Sequence, residues 1–76
     1  REALVRHVVD VVQRIRALDL KKVPSIAETL DWARSLALLN AELITPQLLA
    51  DTLNVLLKYE GDAERVRERA RELLEG

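Results

Sequence analysis

The sequence predicts an all-α fold, a small four-helix bundle. Three observations carry that prediction. Apolar residues recur at spacings of three and four along most of the chain, the period of a helix with one buried face. Two helix-start signals, S-x-x-E at Ser25–Glu28 and T-P at Thr45–Pro46, fall between the periodic stretches. Leucine, valine and alanine dominate the apolar residues, with Trp32 and Tyr59 the only aromatics, a choice suited to closely packed helices.

The first helix is expected over residues 2–18. Leu4, Val8, Val11, Ile15 and Leu18 form one apolar stripe, and Val5, Val9 and Val12 a second beside it. Valine-rich segments also suit strands, but alternation fails at Val8–Val9 and Val11–Val12. Arg6, Asp10, Gln13 and Arg14 share the opposite face, so the helix reading prevails.

Residues 26–39 make the second helix. Pro24 stops the preceding chain from running on as helix. Ser25 is the N-cap and Glu28 completes a capping box, each side chain serving a backbone N–H of the other. The expected apolar face runs through Ile26, Leu30, Ala33 and Ala37, flanked by Trp32, Leu36 and Leu39.

Thr45 and Pro46 open the third helix, expected over 46–59, where proline at the first position forfeits no hydrogen bond. Ile44 and Leu49 sit where a hydrophobic staple closes such a start. Leu49, Leu53 and Leu56 form its seam, broadened by Leu48, Val55 and Leu57. Gly61 is placed to end this helix and Asp62 to cap the next. The fourth helix, 63–74, has a narrow seam of Ala63, Val66, Ala70, Leu73 and Leu74 on an otherwise charged surface.

Length and charge narrow the function classes. A chain of 76 residues suits a single domain, and domains of this size bury only about 60–65% of their unfolded surface. Twelve basic side chains against thirteen acidic ones lack the clustered excess of a nucleic-acid binder. No apolar run approaches the roughly 20 residues that span a bilayer. With no cysteine there is neither a disulfide framework nor a thiolate metal site. The chain opens on Arg1 and contains no methionine, which leads us to expect a segment of a longer protein.

Catalytic constellations are missing from the sequence. There is no phosphate-binding glycine loop and no serine–histidine arrangement with triad spacing. His7, the single histidine, reads as a boundary residue without further metal ligands at suitable spacing. Glu28 and Asp31 share a helix face, but acidic side chains in the first turns favour the positive end of the helix dipole, and the structural reading is the stronger. Lys21 and Lys22 precede a helix start, where ammonium groups and free N–H groups attract anions such as phosphate; the neighbouring carboxylates argue instead for two solvated lysines. Trp32 reads as a core or interface anchor, its indole large enough for one edge to face a partner.

"KKVPSIAETLDWARSLALL" and, downstream, "LITPQLLADTLNVLLKYEGDAERVRER" resemble the C-terminal lid of MoxR-type AAA+ ATPases. The similarity is strongest to the branch that acts with von Willebrand factor A domain proteins. It spans Val12 to about Arg69 and rests on the D-W-A-R core and the T-L-N-V-L-L-K-Y run. The resemblance implies a lid that packs over the nucleotide site of an AAA+ core domain of the same chain. That core would hold ATP and magnesium and carry the catalytic residues, leaving this segment non-catalytic. It further implies a cytoplasmic ring, usually a hexamer, in which lids touch neighbouring subunits and the assembly remodels partner proteins in a chaperone-like way.

Many lids of this kind place a phosphate-contacting arginine near the start of a lid helix. Here the first turn reads Ser25, Ile26, Ala27, Glu28, and the first arginine after it is Arg34. Lys21, Lys22 and Arg34 are the remaining candidates for a nucleotide phosphate contact, and Trp32 the candidate interface residue. The alternative expectation is a free-standing helical module that binds a protein through Trp32 or the last helix.

Overall fold

Helices account for all the regular structure in the computed structural model, which describes residues 2–75. They are α1 (Glu2–Arg16), α2 (Ile26–Leu38), α3 (Pro46–Leu56), α4 (Glu60–Glu68) and α5 (Ala70–Glu75), with no strand among the described residues. The all-helical expectation therefore holds, but there are five helices where four were expected.

α1 and α2 run antiparallel. Val9, Val12 and Arg16 lie beside Ser25, Ile26 and Leu30 at one end, and Ala3 and Leu4 beside Ala37 and Ala41 at the other. α3 packs most extensively on α2, and α5 reaches both α1 and α3. Leu4, Val8, Val11, Val12 and Ile15 of α1 meet Trp32 and Leu36 of α2 in one continuous core. Leu49, Leu53 and Leu56 of α3 fill its centre, and Ala63, Val66 and Leu73 close it from the C-terminal side.

The helix starts predicted at Ser25 and at Thr45–Pro46 form as expected. The Ser25 hydroxyl accepts from Glu28 N–H at 3.1 Å while the Glu28 carboxylate accepts from Ser25 N–H at 2.9 Å, a closed capping box. Thr45 Oγ1 accepts from Leu48 N–H at 3.1 Å, with Pro46 at the first helical position. Ile44 and Leu49, the staple pair, are both buried.

The helix ends depart from expectation in four places. α1 stops at Arg16, its last turn tightening through bonds from Ala17 N–H to Arg14 C=O and Leu18 N–H to Ile15 C=O. α2 closes on a Schellman motif: Ala41 N–H reaches Leu36 C=O and Asn40 N–H reaches Ala37 C=O, both at 3.0 Å. Asn40 takes the required left-handed conformation at φ 59°, a role asparagine fills more readily than other residues with a side chain.

α3 ends at Leu56 rather than Tyr59, because Leu57 turns extended and goes into the core beside Leu56. Gly61 then ends nothing; it lies in the first turn of α4. The N-cap position belongs to Tyr59, without a side-chain cap, and Glu60 and Asp62 place negative charge at the helix start instead. The expected fourth helix breaks at Arg69, whose N–H turns back to Val66 C=O at 3.1 Å. Beyond the break, Leu73 reaches the core.

Apolar exposure also differs from the reading of α2. Trp32 and Leu36 are its buried residues, whereas Ile26 is 80% exposed and Leu30 52%. Val5 and Val9 of α1 are half-exposed as well. Val5 and Val9 of the second valine stripe and the first residues of α2 thus face outward, while Val12 of the same stripe joins the core.

The Schellman geometry makes a direct prediction. Replacing Asn40 by Gly should stabilise the fold by about 0.5 kcal/mol, since glycine reaches positive φ without strain, and Asn40→Val should destabilise it. Urea unfolding midpoints of the two variants test this; a lower midpoint for the glycine variant would refute it.

Candidate functional site

The junction between α1 and α2 holds most of the residues singled out from the sequence, and the tertiary structure adds one that was misassigned. Asp62, expected as a helix cap, is 5% exposed. Its carboxylate accepts from Lys21 N–H at 2.8 Å and from Lys22 N–H at 3.1 Å, each on a different oxygen. The first turn of α4 therefore grips the backbone of the junction. Arg65, one turn on, donates to Asp19 C=O at 2.9 Å, and Arg16 donates to Pro24 C=O at 2.6 Å from the other side. Three side chains from two helices thus satisfy backbone groups that the turn cannot pair by itself.

This arrangement settles where the two lysines go. The Lys21 ammonium sits 4.4 Å from the centre of the Tyr59 ring, a cation–π contact. The Lys22 ammonium lies 3.3 Å from Glu28 Oε1, the carboxylate that also closes the capping box. The N-terminus of α2 is consequently occupied by its own side chains. Arg34 lies further along α2, exposed and 3.6 Å from Asp31. The structure brings Lys21 and Lys22 together around the junction and leaves Arg34 apart from them.

Glu28 is held below the ordinary carboxylate value, first by the hydrogen bond from Ser25 N–H and also by the Lys22 ammonium. Burial opposes the shift but does not reverse it.

Trp32 is completely buried, which fits the core reading rather than the interface one: no edge of its indole reaches the surface. Its Nε1–H donates to Thr52 Oγ1 at 2.7 Å, and the Thr52 hydroxyl in turn donates to Leu48 C=O at 2.8 Å. A buried indole needs such an acceptor. Thr52 was missed in the sequence because a threonine within a leucine-rich helix looks like an ordinary surface position. The available signal was its place, one turn before Leu56 and beside Leu53.

An apolar groove lies between α1 and α2. Val9, Val12, Ile26, Thr29 and Leu30 line it, with Gln13, Arg16 and Ser25 at its polar end. No cluster of side chains able to hold a metal ion occurs among the described residues, and no described helix is long and apolar enough to cross a membrane. Every buried side-chain nitrogen or oxygen among the described residues has a hydrogen-bond partner.

Two measurements follow. Asp62→Ala should cost about 2–3 kcal/mol, as two backbone donors lose a charged acceptor, while Asp62→Glu recovers only part of it; equal stability of all three proteins in urea would refute the grip. The second concerns acid. Because the folded state lowers the Glu28 value, its contribution is fully present above the ordinary carboxylate range and is lost as pH falls through the lowered folded value. The stability gap between the native protein and Glu28→Ala should therefore be widest near neutrality and narrow in acid, and a gap independent of pH would refute the capping charge.

Comparison of the chain with protein-family models, with curated proteins and with solved structures gives no match.

Proposed function

We propose that this chain is the C-terminal lid of a MoxR-type AAA+ ATPase, a four-helix lid in which α4 and α5 together form the last member. The observation that carries the reading is the pair of sequence runs from Lys21 to Leu39 and from Leu43 to Arg69. An all-helical fold is compatible with a helical lid. The outward-facing apolar groove between α1 and α2 also supports a unit that rests on a larger body, since apolar patches on an isolated domain usually mark contacts.

In this reading the AAA+ core domain of the same chain binds ATP and magnesium, and the lid closes over the nucleotide. Neighbouring subunits of a cytoplasmic hexamer sense the lid position, and the ring remodels a partner presented by a von Willebrand factor A domain protein. Lys22 and Arg34 are the candidate phosphate contacts that can be redirected most easily. Their present partners, Glu28 and Asp31, are surface carboxylates, and such pairs are worth about 0–1 kcal/mol. Lys21 would have to leave the Tyr59 ring as well.

The coding sequence preceding Arg1 tests the assignment. A strand–loop–helix with G-x-x-x-x-G-K-S/T is expected there, followed by the acidic magnesium-binding strand. The purified parent protein should hydrolyse ATP, and the 76-residue chain should not. An upstream region without the phosphate loop sinks the lid reading, and turnover by the chain alone sinks its non-catalytic role.

A further inference from the structure

His7 makes contacts that its plain sequence position did not announce. Ile44 N–H donates to its Nδ1 at 3.1 Å, and its Nε2 lies 3.4 Å from Leu74 C=O. A backbone N–H can only donate and a carbonyl can only accept, so the pair of partners selects one form of the ring: neutral, bare at Nδ1 and protonated at Nε2. Through that single ring α1 holds both the segment joining α2 to α3 and the end of α5. Arg14, two turns further along the same face of α1, adds a bond to Leu73 C=O at 2.7 Å.

We propose that His7 is a pH-sensitive latch on the segment between α2 and α3. Protonation places a hydrogen on Nδ1, directly opposite the Ile44 N–H. Two donors then face each other, and the contact must open. The bond to Leu74 C=O survives, because Nε2 keeps its hydrogen. Acid therefore releases the Ile44 side while leaving the α5 side attached.

The release has a local consequence because Ile44 is buried and precedes the Thr45 cap of α3. Moving its backbone loosens the staple onto Leu49 and widens the hollow bordered by Leu4, Ala37 and Leu43. The elements that meet the ring carry, among their charged residues, Arg6, Asp10 and Arg14 on α1, Glu42 on the joining segment, and Glu72 and Glu75 on α5. α2 brings no charged side chain in its last turn, and Asp51 of α3 is engaged by Gln47 at 2.8 Å. Among the described residues none of these side chains hydrogen-bonds the imidazole, so the two backbone groups choose its tautomer.

Nuclear magnetic resonance on the native chain tests the latch with two readouts. Long-range nitrogen–proton spectra of the imidazole should show the Nε2–H tautomer at about pH 8, and amide exchange should show Ile44 losing protection by roughly three- to tenfold, beyond any global change, by about pH 5. In His7→Gln, which can accept and donate without titrating, the Ile44 protection should not vary with pH beyond that of the other core amides. An Nδ1–H tautomer overturns the proposal. So does the same selective loss at Ile44 in the glutamine variant, and, should that variant fail to fold, Ile44 protection in the native chain that does not fall selectively between about pH 8 and pH 5 overturns it.

Discussion

The grip of Asp62 on the amides of Lys21 and Lys22 is the contact on which the arrangement of the other helices rests. A nine-residue turn separates α1 from α2, and its backbone groups need partners once the turn is packed against α4. One buried carboxylate supplies two acceptors at 2.8 and 3.1 Å. That contact sets where α4 begins, because Asp62 must sit in its first turn, and so requires α3 to end early enough for the chain to cross over. It also brings Tyr59 under Lys21 and Arg65 onto Asp19.

Around this anchor, the same device recurs: long side chains of one helix serve backbone groups of another segment. Arg16 serves Pro24, Arg14 serves Leu73 and His7 serves both Ile44 and Leu74. Each bond is modest in net energy, about 0.5–1.5 kcal/mol when neutral and about 1.5–3 kcal/mol when charged. Their collective effect is positional. A domain this small has a thin core, and short helices such as the six-residue α5 hold their place through such ties as well as through Leu73. Trp32 does the corresponding work inside, joining α2 to α3 by its volume and by one hydrogen bond to Thr52.

The outer face of α1 and α2 has the opposite character. Val5, Val9, Ile26 and Leu30 remain exposed although the periodicity of both helices is wide enough to bury them. The bundle has used the Trp32–Leu36 side of α2 for its own core and turned the Ile26–Leu30 side away. In the proposed lid this is the side free to meet a larger body, while the junction with Lys21 and Lys22 is closed by contacts within the chain.

Helical class, the two N-terminal caps and the staple at α3 were legible in the sequence, because each depends on residues within four positions of one another. Ser25 and Glu28 find each other whatever the rest of the chain does. The core face of α1 was legible for the same reason, since Leu4, Val8, Val11 and Ile15 repeat at helical spacing, and of the neighbouring stripe only Val12 joins them in the core. Tertiary structure alone decided which of two apolar faces α2 buries, where α3 stops, and that Asp62 is a buried acceptor rather than a cap. It likewise decided the hydrogen bonds of His7 and Thr52. These choices join residues 20 to 67 positions apart. Local pattern is silent there, because a carboxylate or imidazole acquires its role from the backbone that folding places beside it.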